Sequence, residues 1–335
     1  MKIFSGNANK QLSKKICEHL NIEISDAKIS KFADGEINII INDNVRKEDC
    51  YIIQPTGPSL NASPNDNFME LLILIDALKR GSANTVNVLM PYYGYQRQDR
   101  KDYSRAPISA KVIASCLEAL NIDRVMVFDL HAGQIQGFFT NNIPFDNLYI
   151  EREFINYINS HIIKTNNLND FIIISPDEGG MKRSVRISNK IGVLNGAIYK
   201  ERTEPNKIKT MTVLGNIENK NCIIVDDIID TAGTACNAAK ILKKKGAKNI
   251  YMLVCHGIFS KDAIHKIKNS HFEKVITTNT LCQLRHEKII KELNCENKFD
   301  IIDISWYASQ AIKKSHLGES IIELYDNQDK NHYLK

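Results

Sequence analysis

The sequence predicts an α/β protein of two domains, each a mainly parallel sheet flanked by helices. Short apolar runs recur at 51–54, 85–90, 125–128, 171–174, 223–225 and 250–255, with polar turns and helical apolar spacing between them. The turns carry acids, cations and glycines at the carboxyl ends of these runs, where ligands of open α/β sheets collect. A chain of 335 residues is long enough for two cores. The first alternating series ends around Asn147, which places the domains at 1–147 and 148–304 and leaves a polar tail at 326–335.

The hydrophobic content of 43% and charged content of 25% are those of a soluble globular protein. A net charge of +5 on this length gives no argument for nucleic acid or membrane as partner. Cys17, Cys50, Cys116, Cys222, Cys236, Cys255, Cys282 and Cys295 include no CxxC pair and read as buried free thiols in a reducing compartment. The opening Met1 to Gly6 reads as a strand and turn rather than a signal peptide, and no apolar run reaches membrane-spanning length. A cytoplasmic enzyme is the expectation.

In the first domain, Leu12, Ile16 and Leu20 share one face of a helix over Gln11 to Leu20. Asp34-Gly35 marks a turn between Lys31 and the extended Ile37 to Ile41, a hairpin signal that reads as structural by itself. Tyr51 to Gln54 is a strand, Pro55 to Asn67 a polar loop, and Phe68 to Lys79 an apolar helix stopped at Gly81. The strand Thr85 to Met90 leads into a loop with Tyr92, Tyr93, Tyr95, Arg97, Gln98, Arg100 and Lys101. Guanidinium forks suit phosphate oxygens and aromatic faces suit a nucleobase, so this loop fits an adenine nucleotide, while its charge alone fits a solvated loop. After a helix from Ser109 and the strand Val125 to Phe128 stands His131, either a metal ligand or a structural histidine.

In the second domain, Phe171 to Ile174 precedes Asp177, which fits both a magnesium ligand and a helix N-cap. A helix over Met181 to Ile191 and a short strand at Gly196 to Tyr199 follow. Lys200 to Lys207 is polar and unpatterned and reads as either a mobile lid carrying cations or a plain exposed loop. The apolar strand Ile223 to Val225 then ends on Asp226 and Asp227 before the turn Thr231-Ala232-Gly233-Thr234 and an alanine-rich helix. Small residues let a phosphate approach the free N–H groups of a helix start, whose dipole favours negative charge. Carboxylates at the strand end can accept hydrogen bonds from vicinal hydroxyls, so Asp226, Asp227 and Asp230 with this turn fit a sugar phosphate. No Lys follows the last glycine, which argues against a P-loop. Strands at Ile250 to Cys255, Lys274 to Thr278 and Ile301 to Ile304, a helix from about Lys261 and another over Trp306 to Lys313 complete the pattern.

Val225 to Thr234 taken alone resembles the wider phosphoribosyltransferase group. Together with Arg97 to Lys101, Ser104 to Lys111, Asp129 to Ala132, Gln134 to Phe139 and Ser175 to Asp177, it resembles the phosphate-activated ribose-phosphate pyrophosphokinases over nearly the whole chain. The resemblance implies two phosphoribosyltransferase-like domains, with the helix from about 305 packing back on the first. It implies transfer of the β,γ-pyrophosphoryl group of MgATP to the C1 hydroxyl of ribose 5-phosphate, with release of AMP. By resemblance, Asp226, Asp227, Asp230, Thr231, Ala232, Gly233 and Thr234 hold ribose 5-phosphate, and Arg97 and Gln98 hold ATP. Phe32, Asp34, Gly35 and Glu36 match the segment that a neighbouring subunit contributes to the ATP site, which overrides the purely structural reading of that hairpin. His131 and Asp177 match ligands of Mg2+, with Mn2+ an alternative on hard-ligand grounds, and Lys200 and Arg202 match the catalytic-loop cations. The resemblance also implies a homo-oligomer, a hexamer built from dimers, activated by inorganic phosphate and inhibited by ADP at an interface that would include Arg46, Ser82 and Arg105. The chain departs from the family pattern in an expanded Pro58 to Pro64 segment, in Glu201 between the loop cations, and in a long tail after Tyr325.

Overall fold

A computed structural model of the chain describes residues 1–140, 143–204 and 207–324, with the side chains of 200–211 outside that description. In chain order the regular elements begin with β1 (Lys2–Ser5), α1 (Lys10–Leu20), β2 (Ala27–Lys31), β3 (Ile37–Ile41), β4 (Asp49–Ile53), α2 (Pro64–Arg80), β5 (Thr85–Met90), α3 (Ser109–Ala119), β6 (Arg124–Phe128) and β7 (Phe145–Leu148). They continue with α4 (Glu151–Tyr157), β8 (Phe171–Ser175), α5 (Met181–Ile191), β9 (Leu194–Glu204), β10 (Lys207–Leu214), β11 (Asn221–Ile229) and α6 (Gly233–Lys244). The last are β12 (Ile250–Gly257), α7 (Ala263–Lys268), β13 (Lys274–Thr278), α8 (Leu284–Glu292), β14 (Phe299–Ile302) and α9 (Ser305–Leu317).

The described chain forms two compact units. The first comprises Met1–Tyr149, Thr280–Cys282 and the residues from Asp303 on; the second comprises Ile150–Asn279 and Gln283–Ile302. In the first, β1, β4, β5, β6 and β7 form a parallel sheet in that order. Cys50, Ile52, Val88, Met90, Val125 and Val127 cluster with Leu71, Leu74 and Leu78 of α2 and with Ile113 and Leu117 of α3. On β4 and β6, Tyr51 bonds to Ser315 of α9 and Phe128 meets Tyr307 edge-on. Helices therefore cover both faces, which is why these strands read as continuous apolar runs rather than alternating ones.

In the second unit the order is β10-β9-β8-β11-β12-β13-β14, parallel except for the antiparallel pair β9 and β10. From β8 the chain passes through α5 to β9 on one side, and from β11 through α6 to β12 on the other. The carboxyl ends of neighbouring β8 and β11 are thus a topological switch point, the place where connections diverge and leave a crevice. Ala235, Ala238, Ala239 and Leu242 put the small-residue face of α6 into the core with Ile224, Met252 and Val254.

Three sequence expectations need correction. Strand β11 does not end on Asp226 and Asp227 but carries them and runs on to Ile229, because pairing with β12 continues to Ile229–Gly257. The segment from Lys200 is not a loop: β9 extends to Glu204 and pairs with β10 as a hairpin, with Lys200 opposite Met211 and Arg202 opposite Ile208. Helix α2 starts at Pro64, inside the expected Pro55 to Asn67 loop, where Ser63 and Asp66 form a reciprocal capping box. All eight cysteines are free thiols. Among the described residues no helix is long and apolar enough to cross a membrane. The tail at 326–335 lies outside the described residues.

Candidate active site

The switch point in the second unit collects acids. Asp226 and Asp227 sit near the end of β11, their side chains 21% and 10% exposed, and the Asp227 backbone N–H donates to Asp226 Oδ1 at 3.0 Å. Burial pushes the Asp226 pKa well above the ordinary carboxylate range; the charge of Asp227, a hydrogen bond from it and the charge of Asp177 push the same way, and Arg183 opposes. From the loop after β8, Asp177 Oδ1 accepts the Gly180 N–H at 3.1 Å, and Ser175 Oγ donates to the Asp177 carbonyl at 2.6 Å. Asp177 therefore supports the start of α5 while its charge reaches Asp226.

Arg183 was not singled out by the sequence reading. Its guanidinium lies 3.9 Å from Asp226 and 3.7 Å from Asp227, 17% exposed. A signal was present: α5 opens with Lys182 and Arg183 and has no acid in its first turn. Cations there oppose the helix dipole, so the sequence implied a nearby anion.

Beyond β11 the chain turns through Asp230 to Thr234 into α6. Ala232 occupies the left-handed region at φ 58°, and no side chain caps the helix start. For a residue with a Cβ that conformation costs roughly 1–2 kcal/mol, a strain that persists where the surroundings hold it. They do: the Ile258 N–H donates to the Ile229 carbonyl at 2.9 Å and the Ser260 N–H to the Asp230 carbonyl at 3.0 Å. Lys266 donates to the Thr231 carbonyl at 3.3 Å. At Gly233 a Cβ would meet no atom within 4 Å, so the helix start opens on space that an anion can enter.

In the first unit, the loops after β5 and β6 are neighbours because their strands pair. Arg97 and Gln98 are exposed on the first loop, where the Gln98 carbonyl accepts the Ala110 N–H at 3.1 Å and its amide oxygen accepts Ser109 Oγ. His131 is on the second loop, and its backbone N–H donates to Gln96 Oε1 at 2.8 Å. Gln134 donates to Asp99 at 2.5 Å, a second tie between the loops. Sequence reading passed over Gln96 because it stands among exposed polar neighbours.

The turn of the β2–β3 hairpin carries Phe32, Asp34, Gly35 and Glu36. Gly35 has φ 98°, the Phe32 N–H donates to the Glu36 carbonyl at 2.8 Å, and the Phe32 side chain is 55% exposed. Of the three expected regulatory residues, Arg46 and Ser82 are brought near one another by the bond from the Lys47 N–H to the Ser82 carbonyl at 2.9 Å. Arg105 is exposed, at the left-handed φ of 65°. The side chains of Lys200 and Arg202 lie outside the description.

Among the described residues no three His, Cys, Asp or Glu side chains stand together as a metal cage. Magnesium does not need one, since it takes one or two carboxylates with waters and substrate phosphates. The raised Asp226 pKa, caused first by burial and then by the charges of Asp227 and Asp177, fits a site for added positive charge and for hydroxyl donors.

Residues 1–120 match the family described as the N-terminal domain of ribose phosphate pyrophosphokinase, and residues 179–326 match the phosphoribosyl synthetase-associated domain. The chain is 42% identical to ribose-phosphate pyrophosphokinase A of Dictyostelium discoideum, covering 98% of both chains. It is also 42% identical to the ribose-phosphate pyrophosphokinase of Thermosipho africanus, covering 97% of each. The phosphoribosylpyrophosphate synthetase crystal structure from Mycobacterium smegmatis superposes with a TM-score of 0.83 at 31% identity, covering 95% of this chain and 99% of that one.

Proposed function

We propose, since this chain belongs to the ribose-phosphate pyrophosphokinase family, that it makes 5-phospho-α-D-ribose 1-diphosphate from MgATP and ribose 5-phosphate. The observation that carries the reading is the match to a ribose-phosphate pyrophosphokinase over 98% of both chains. The C1 hydroxyl attacks the β-phosphorus in line, a new oxygen–phosphorus bond forms, the bond from that phosphorus to the AMP oxygen breaks with its electrons going to AMP, and the hydroxyl proton passes to water. Little covalent work falls to the protein, so catalysis is positioning and placement of positive charge.

Each residue then has a task. The turn Asp230, Thr231, Ala232, Gly233 and Thr234 seats the sugar phosphate on the start of α6, and Asp226 and Asp227 accept hydrogen bonds from the vicinal hydroxyls. Arg183 sets a positive charge beside that carboxylate pair and opposes the rise in the Asp226 pKa. Arg97 and Gln98 hold the nucleotide. The exposed Phe32, with Asp34, Gly35 and Glu36, is contributed by a neighbouring subunit to stack on the base. Lys200 and Arg202 meet the charge that builds on the transferring phosphoryl oxygens. His131 and Asp177 are each positions that would bind magnesium, with manganese as a substitute, and the metal would screen the charge of the triphosphate.

In this reading the domains run over 1–147, with the helix from about 305 joining the first, and over 148–304. The enzyme is cytoplasmic and a homo-oligomer, a hexamer built from dimers. Inorganic phosphate activates it and ADP inhibits it through Arg46, Ser82 and Arg105. Incubation with MgATP, ribose 5-phosphate and inorganic phosphate tests the function: AMP formed only when the sugar is present supports it. ADP as the product, or sugar binding with no product, overturns it.

A further inference from the structure

We infer that Gln96 is a positioning residue that holds the His131 loop in place for the divalent cation of the nucleotide complex. The inference rests on the proposed role of His131. Gln96 is fully buried, at 0% exposure, although Tyr95 before it and Arg97 and Gln98 after it are exposed. The backbone causes this inversion. Tyr95 takes the left-handed φ of 64°, and the preceding Gly94 is pinned by its N–H donating to Thr56 Oγ1 at 2.7 Å. A Cβ on Gly94 would stand 2.4 Å from the Thr56 carbonyl oxygen, so only glycine allows the approach. A non-glycine residue held left-handed beside a site is strain maintained by its surroundings, and its effect here is to drive the Gln96 amide inward.

Inside, the amide does one identifiable thing. Oε1 accepts the His131 backbone N–H at 2.8 Å, across 35 residues of sequence. The orientation is forced, because the flipped amide would set Nε2 against another donor. The two preceding N–H groups of the same turn are also tied, Asp129 to the Leu148 carbonyl at 3.1 Å and Leu130 to Asn147 Oδ1 at 3.1 Å. Gln96 supplies the third tie, at the histidine itself. Its Nε2 is buried with no acceptor among the described residues. A buried donor is ordinarily satisfied, so the oxygen of a buried water is the fitting partner. The Gln96 side chain thereby joins the nucleotide loop to the metal loop from within, beside the Gln134–Asp99 bond.

Outer partners of metal ligands affect metal affinity by about ten- to a hundredfold. In the full-length enzyme, Gln96→Leu is expected to raise the magnesium concentration for half-maximal rate about tenfold, with excess magnesium restoring most of the rate. Binding of Mn2+ with α,β-methylene ATP, followed by the electron paramagnetic resonance of free Mn2+, is expected to weaken by about the same factor. Gln96→Glu, which keeps the acceptor for the His131 N–H, is expected to stay within about twofold of the native affinity; equal losses in both variants overturn the inference. In a His131→Ala background, Gln96→Leu is expected to add no further loss. If His131→Ala weakens Mn2+ binding and Gln96→Leu does not, the positioning role is wrong and the His131 role stands. If His131→Ala leaves Mn2+ binding unchanged, both readings fall.

Discussion

Replacing Arg183 with methionine keeps most of the apolar stem and removes the charge facing Asp226 and Asp227. Unit charges separated by the observed 3.7 and 3.9 Å attract by about 4 kcal/mol each at an effective dielectric of about 20. That gross attraction overstates the net effect, because the guanidinium loses hydration in the fold and one of two adjacent acids can take a proton instead. A loss of about 3 kcal/mol in the local stability of β11 at pH 8 is the expected outcome. The pH dependence follows from the raised Asp226 pKa. The folded protein holds that proton more tightly than the unfolded chain, so stability is greatest below the ordinary carboxylate pKa and falls as pH rises toward the raised value. Without Arg183 the folded pKa rises further, the falling window widens, and the variant loses more at pH 8 than at pH 5. Hydrogen exchange of peptides spanning Asn221–Ile229, corrected for intrinsic rates, measures it. A loss equal at the two pH values, or below about 0.5 kcal/mol at pH 8, would refute the charge argument.

Other expectations concern the proposed ligand contacts. Lys200→Ala should keep ribose 5-phosphate binding by calorimetry and lower kcat about a hundredfold or more, as loss of a transition-state donor does. Gly233→Ala places a methyl in open space, so thermal stability should hold or gain about 0.5 kcal/mol while KM for the sugar phosphate rises; an unchanged KM argues against the phosphate seat. Phe32→Ala removes an exposed ring and should change stability by less than about 0.5 kcal/mol. Its KM for ATP should rise about tenfold, the scale of one lost base stack.

The sheets and the loops at their carboxyl ends were legible because strands buried on both faces read as apolar runs, as at Phe171 to Ser175 and Thr85 to Met90. The extension of β11 through Asp226 and Asp227 was not, because two acids stop an apolar run in sequence while Arg183 and strand pairing keep them in the sheet. The strand read over Gly196 to Tyr199 runs on to Glu204, an extension hidden by the polar sequence from Lys200, and its partner β10 closes the edge of the sheet. Helix α2 carried its signal openly, in Ser63, Pro64 and Asp66, but the surrounding prolines and asparagines favoured a loop reading. Gln96 was illegible for a different reason: its burial depends on the sign of the Tyr95 φ, which no local composition expresses. Family resemblance supplied the role of Phe32 and decided between the alternatives that the sequence left open at His131 and Lys200.

The destination of the β-phosphorus tests the central claim most directly. With ATP labelled at that atom and ribose 5-phosphate supplied, the account predicts that the label leaves the nucleotide and appears in the sugar product, with AMP unlabelled. Label retained in ADP would mean transfer of a single phosphoryl group and would contradict it.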